Sequence, residues 1–296
     1  MKAIVVGYSS MLGLSLCSQL EACGIEVITA GRSEDAEIHC DFQVQPPRLD
    51  PPTHLNVDVI YVLSSAFSDD SLEGIGHNLL INSASASYIF MLAAATHPDL
   101  IVYVGSIFSY ANIDPSQGMN SYGMTKKIAE DLLAWWCARN NVRFVGIRLS
   151  QLFDDYGLCV KHQPWIGRII RYAFDQQDLF MPRSDGKRNF LHVEDAASLL
   201  VDATLYPTID GIHNGCSPVD YSYDELASLA FAYNGCMEKL HISEAKQPFR
   251  SLYFPDTDLL FTILGRIPQL TPQRWLERIH ASESWSRFGP LDVDPS

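Results

Sequence analysis

Lys2-Ala3-Ile4-Val5-Val6-Gly7-Tyr8-Ser9-Ser10-Met11-Leu12-Gly13 stands at the head of the chain, and its reading decides the fold. Ala3–Val6 is a continuous apolar run, as in a strand buried on both faces. From Met11 to Ala22 the period changes, and Leu12, Leu16 and Leu20 recur four apart along one helical stripe. Gly7 and Gly13 bound the turn between the two. Glycine there permits unusual dihedrals and close packing of helix on sheet. The helix start that follows offers free N–H groups and a positive dipole to a pyrophosphate. Gly7, Ser9, Ser10, Met11, Leu12 and Gly13 are therefore candidate binding residues, with Ser10 standing where a third glycine is usual.

The same alternation continues outward. Glu26–Ala30, Glu37–Asp41, Val57–Leu63, Leu100–Gly105 and Arg143–Leu149 read as strands, and Leu79–Ala95 and Ser121–Asn140 as long helices. Strands separated by helices imply parallel neighbours joined by crossovers. The expected fold is α/β: a Rossmann-type doubly wound parallel sheet with a smaller C-terminal α/β substrate-binding domain. The first domain is expected over 1–150 with a return segment near 189–210. The second takes 151–188 and 211–283, where aromatics, arginines and prolines become frequent, and 284–296 is a loose tail. Ser222-Tyr223-Asp224-Glu225 reads as a capping box opening a helix.

Composition narrows the partners. The chain has 296 residues, 21 Lys plus Arg against 35 Asp plus Glu, and a net charge of −14. Such acidity argues against binding duplex nucleic acid, whose phosphates need a positive surface, and against anchoring on an anionic membrane. No apolar stretch is expected to reach the ~20 residues of a membrane span. The seven cysteines are scattered, with no C-x-x-C, and read as reduced thiols. With no signal-peptide pattern at the start, a cytoplasmic location is expected.

Two further stretches carry chemistry. Tyr122 and Lys126, in Ser121-Tyr122-Gly123-Met124-Thr125-Lys126, are four apart and share one helix face. A phenol has a pKa near ~10, and a neighbouring ammonium is expected to lower it so that the pair can exchange a proton with a hydroxyl or ketone. Taken alone, the spacing also fits an ordinary surface pair. Ser106, in Val104-Gly105-Ser106-Ile107-Phe108, ends the strand that precedes this helix, and active-site groups in parallel sheets lie at strand C-termini.

Together these elements resemble the extended short-chain dehydrogenase/reductase superfamily, whose members are epimerases, dehydratases and reductases of nucleotide sugars. The resemblance extends along most of the chain, through Asn82, Arg148-Leu149-Ser150-Gln151, the Asp185–Ala196 segment and Asp256-Thr257-Asp258-Leu259. It implies that Tyr122 is the catalytic acid/base, that Lys126 tunes it and binds the nicotinamide ribose, and that Ser106 hydrogen-bonds the reacting oxygen. Asn82 and Asp41 resemble cofactor contacts, the latter to adenine. Gln151, in place of the usual Asn, and Arg188 resemble substrate contacts, Arg188 to the nucleotide phosphates.

After the second strand, NAD-preferring members place an acid that binds both ribose hydroxyls. Here Ala30-Gly31-Arg32-Ser33 has none, and Arg32 suits a 2′-phosphate. NADP(H) is thus favoured over NAD(H), although Glu34 and Asp35 lie close by. Dehydratases of the family carry an Asp-Glu pair where this chain has Ile107-Phe108, and apolar residues cannot shuttle the protons of an elimination. The first expectation is a 4-keto-sugar reductase and the second a nucleotide-sugar 4-epimerase; an inactive cofactor-binding regulator is the third. A homodimer through the Leu79 and Ser121 helices is open, since their apolar stripes fit core packing equally well.

Overall fold

A computed structural model describes residues 1–43, 55–114 and 116–290. The chain runs β1 (Lys2–Val6), α1 (Met11–Ala22), β2 (Glu26–Gly31), β3 (Ile38–His39), β4 (Val59–Val62), α2 (Leu72–Asn78), a π-helical stretch (Leu79–Ala84) and α3 (Ala86–Thr96). It continues through β5 (Leu100–Ser106), α4 (Ser121–Asn140), β6 (Arg143–Leu149), β7 (Gln151–Phe153), α5 (Pro164–Phe174), β8 (Leu179–Pro182), β9 (Arg188–His192) and α6 (Val193–Leu205). The last elements are β10 (Gly211–Gly215), β11 (Asp220–Tyr221), α7 (Tyr223–Tyr233), β12 (Leu240–Ser243), α8 (Leu260–Ile263) and α9 (Pro272–Ala281).

Seven strands form one parallel sheet in the order β10-β6-β5-β4-β1-β2-β3. Strand side chains alternate between faces. Ala3, Val5, Val59 and Tyr61 enter a core with Leu12, Leu16 and Leu20 of α1 and Leu199 and Leu200 of α6. Ile4, Val6, Ile60 and Val62 enter the opposite core, with Tyr88 and Leu92 of α3 and Ala129 and Leu133 of α4. Burying each such side chain contributes ~1.5–3 kcal/mol before entropy is counted. The strand order reverses between β1 and β4, which opens a crevice at their C-terminal ends.

A three-stranded sheet, β11-β9-β7, and a two-stranded one, β12-β8, lie in the C-terminal half. They share a third core with α5, α7 and α9, in which Phe153, Phe231, Trp275 and Phe288 are buried. The capping box at Ser222 is present, with reciprocal bonds between Ser222 and Glu225.

Three expectations need correction. The helix read as Leu79–Ala95 belongs to a longer helical run starting at Leu72, which Ser71 caps by accepting the Gly74 N–H at 3.1 Å. That run, Leu72–Thr96, has 25 residues and is long and apolar enough to span a membrane, contrary to the sequence reading; 56% of its apolar window is buried inside the protein, as in a core helix. The segment read as a loose tail is packed through Phe288: Ser284 and Phe288 are buried, and Trp285 stacks on Phe174. Residues 291–296 of that tail lie outside the described residues. The seven cysteines are free thiols.

Candidate active site

The glycine turn lies at the crevice between β1 and β4. Gly7 has φ +91°, in the left-handed region, and a Cβ there would sit 3.1 Å from the Ser64 backbone nitrogen. A Cβ on Gly13 would lie 2.4 Å from the Tyr8 carbonyl oxygen, so α1 rests directly on the turn. Ser10 caps α1, its Oγ accepting the Gly13 N–H at 3.0 Å. The first-turn N–H groups of Met11 and Leu12 have no acceptor one turn back. Across the crevice the Ser64 hydroxyl is buried without a partner. A cradle kept clear of side-chain atoms, free helix donors and an orphan hydroxyl fit a dinucleotide pyrophosphate. Ser9, Ser10 and Arg32 are exposed, and Arg32, just past β2, has no ion-pair partner among the described residues. Asp41 accepts the Gln43 N–H at 2.9 Å in a turn beyond β3.

Ser106, Tyr122 and Lys126 come together beyond the C-terminal end of β5. Ser106 is the last residue of the strand and is buried; its Oγ accepts the Phe108 N–H at 3.2 Å. Tyr122 is held in the first turn of α4, whose cap Asn120 accepts the Gly123 N–H at 2.9 Å. The side chains of Ser65 and Ser106 act on its hydroxyl, favouring the phenolate. Lys126, one turn on, is 1% exposed, and its Nζ lies 4.5 Å from the centroid of the Tyr103 ring.

The expected lowering of the phenol is not found. Burial pushes the Tyr122 phenol above its ordinary value, against the pull of the Ser65 and Ser106 hydrogen bonds. Burial also pushes the Lys126 amine down to about 7, against the attraction of Glu130. Desolvation acts on both groups and in each favours the neutral form.

In the C-terminal half, Gln151 donates to Gln163 Oε1 at 3.1 Å, while its own Oε1 is buried with no partner. Arg188 opens β9, stacks 5.3 Å from the Tyr223 ring centroid and donates to the Arg250 carbonyl at 3.2 Å; its Nε is buried and unpartnered.

The sequence model of the NAD dependent epimerase/dehydratase family matches residues 3–207. The chain belongs to that family. Among solved structures it is similar to UDP-N-acetylglucosamine 4-epimerase from Bacillus cereus, at 20% identity over 99% of this chain and 98% of that one, with TM-score 0.72. It is similar to RMD from Pseudomonas aeruginosa complexed with NADPH, at 18% identity over 96% and 99%, TM-score 0.75. It is similar also to Thermus thermophilus UDP-glucose 4-epimerase in complex with NAD, at 13% identity over 95% and 100%, TM-score 0.70. No curated protein matches the sequence. This member of the epimerase/dehydratase family is an NAD(P)-dependent enzyme of the extended short-chain dehydrogenase/reductase type.

Within this epimerase/dehydratase site, Asn82, the expected cofactor contact, is bonded to the protein itself: it accepts the Ala66 N–H at 2.8 Å and donates to Ala66 O and Thr125 Oγ1 at 2.9 and 3.1 Å. Several residues around it escaped the sequence reading. Asn78 makes the same pattern with Ser68 and Ser121. The two asparagines pin the loop after β4 to α4, and their spacing of four was the available signal. Phe67, in that loop, meets the Tyr122 ring edge-on at 4.8 Å and lies 6.3 Å from the His162 ring. Glu130, fully buried on α4, holds Arg148 of β6 through two hydrogen bonds of 2.9 and 2.5 Å. Gly105 leaves room for them, since a Cβ there would lie 3.1 Å from Arg148 and 3.3 Å from Glu130.

Proposed function

We propose that this family member is an NADP(H)-dependent reductase of a nucleotide-linked 4-keto sugar. The observation that carries the reading is the end of β2, where Arg32 stands exposed and without an ion-pair partner among the described residues in place of a ribose-binding acid. A cation there suits a 2′-phosphate, and an NADP-type site suits an enzyme that consumes a reduced cofactor each turnover.

A reduced nicotinamide bound in the crevice supplies the hydride. The protein's own groups handle the oxygen and the proton. Ser106, at the end of β5, and Tyr122, in the first turn of α4, hold the keto oxygen between their hydroxyls. The raised phenol is loaded with its proton at neutral pH and gives it to the oxygen as the alcohol forms. Lys126, beside it on α4, orients the ribose and stabilises the phenolate left behind. The unpartnered Arg188 Nε and Gln151 Oε1 are matched to a diphosphate and a sugar hydroxyl. Ile107 and Phe108 follow Ser106, so no acid/base pair for dehydration stands there. The cytoplasm, where nucleotide sugars are made, is the proposed location.

Purified protein mixed with NADPH and a nucleotide-linked 4-keto sugar should oxidise one NADPH per sugar reduced and should release its cofactor reversibly. Tightly retained oxidised cofactor, with redox-neutral interconversion of two saturated nucleotide sugars, would replace this reading with a 4-epimerase. Binding of NADPH with no oxidation by any keto sugar would point to a regulator.

A further inference from the structure

The loop that carries Arg32 also carries three acids, Glu34, Asp35 and Glu37. Opposite charges this close in an exposed loop ordinarily find one another, yet Arg32 has no ion-pair partner among the described residues. Two of the acids are taken elsewhere. Glu37 Oε2 accepts the Thr29 N–H at 2.9 Å. Asp35 Oδ1 accepts the Tyr8 hydroxyl at 2.6 Å. Glu34 is exposed to solvent.

Tyr8 is well placed to hold Asp35. It is the second residue of the glycine turn and is 9% exposed. Its ring lies against Gly31, where a Cβ would come within 3.3 Å of the ring carbon Cε1. Gly31 is the residue before Arg32, so the ring rests on the strand end and its hydroxyl emerges beside the loop. The Ser33 and Tyr8 hydroxyls together keep the Asp35 carboxylate below its ordinary range, so it is ionised at neutral pH. An anion released next to Arg32 would both pair with the guanidinium and repel a phosphate.

We propose that Tyr8 is a positioning residue for cofactor choice: by tying Asp35 back to the glycine turn it leaves Arg32 unpaired for an anionic group on the adenosine ribose, the 2′-phosphate. The proposal deepens the cofactor half of the reading above and rests on it.

The test is calorimetric titration of the full chain with NADPH and with NADH, independent of turnover. Wild type should bind NADPH more tightly. Tyr8→Phe keeps the ring and loses only the hydroxyl. It should weaken NADPH roughly fivefold, the scale of an exposed ion pair, while NADH changes less than about twofold. The loss should shrink at high salt. Adding Asp35→Asn to Tyr8→Phe should restore NADPH affinity, and Asp35→Asn alone should leave it unchanged or improved.

An unchanged NADPH/NADH ratio in Tyr8→Phe, or no rescue in the double variant, overturns the proposal. So does a large NADPH loss in Asp35→Asn alone, which remains informative even if Tyr8→Phe does not fold. A wild type that prefers NADH overturns instead the NADP(H) assignment on which it stands.

Discussion

At Tyr122 two physical effects oppose each other: burial keeps the phenol protonated, and hydrogen bonds from Ser65 and Ser106 favour the phenolate. The first prevails, so the phenol keeps its proton at neutral pH. Tyr122→Phe should therefore retain cofactor affinity and lose on the order of 10²–10⁴ in rate; turnover within a few-fold of wild type would remove Tyr122 from the chemistry. Lys126 makes a second prediction, on stability. Its folded-state pKa of about 7 lies below that of the unfolded chain. Its contribution is then complete above the ordinary lysine range and is lost as pH falls towards about 7. Between those limits the unfolded chain binds the extra proton at this group, so Lys126 by itself contributes a gain of ~1.4 kcal/mol of stability per pH unit. Lys126→Met should flatten that slope in denaturant titrations between pH 7.5 and 9.5. The positions of Ser106 at a strand end and of Tyr122 and Lys126 one turn apart on a helix were legible because both are local signals. The depressed amine was not, because its enclosure comes from Tyr103 of β5 and the buried face of α4.

At the scale of the element, α4 is held at its start by an unusually close approach. A Cβ on Gly123 would lie 1.8 Å from the Phe108 carbonyl oxygen. Gly123→Ala must push the helix start away from the turn after β5, and with it Tyr122 away from Ser106. The expected result is a loss of ~1–3 kcal/mol of stability and a fall in rate larger than the fall in cofactor affinity. Equal stability and turnover in the variant would show that the turn yields freely. The sequence reading placed α1, α4 and β6 at their observed limits because apolar periodicity and turn residues agree there. It missed the start of the run at Leu72 because Gly74, Gly76 and His77 interrupt the apolar stripe, and it had no means of seeing the π-helical stretch that follows.

For the whole molecule, the question is which surfaces stay uncovered. Leu79, Ile128, Leu132 and Trp135 are exposed on the π-helical stretch and on α4, and Leu79 and Leu132 line one shallow groove. We propose that a second copy of the chain covers this face, as the apolar stripes of the two helices allowed. Leu132→Glu should then convert a dimer to a monomer in sedimentation; a wild type already monomeric at micromolar concentration would refute it. The C-terminal core was the least legible part of the fold. Its members are far apart in sequence: Trp275 donates to the Asp154 carbonyl at 2.9 Å, and Arg278 pairs with Asp155 at 2.6 Å and with Glu194 at 2.6 Å. Contacts of that range have no period to read.

The return of α6 and β10 to the first sheet bears on how the protein is made. Leu12, Leu16 and Leu20 of α1 share their core with Leu199 and Leu200 of α6, and Gln19 reaches the Glu194 carbonyl at 2.9 Å. On a ribosome adding ~5–20 residues per second, that face of the sheet waits roughly ten seconds or more for its cover after α1 has emerged. β10, at one edge of the sheet, arrives later still. The nascent chain therefore passes through a stage with a sticky apolar face and an open strand edge. Its yield in a cell should depend on holdase chaperones far more than the stability of the finished protein suggests.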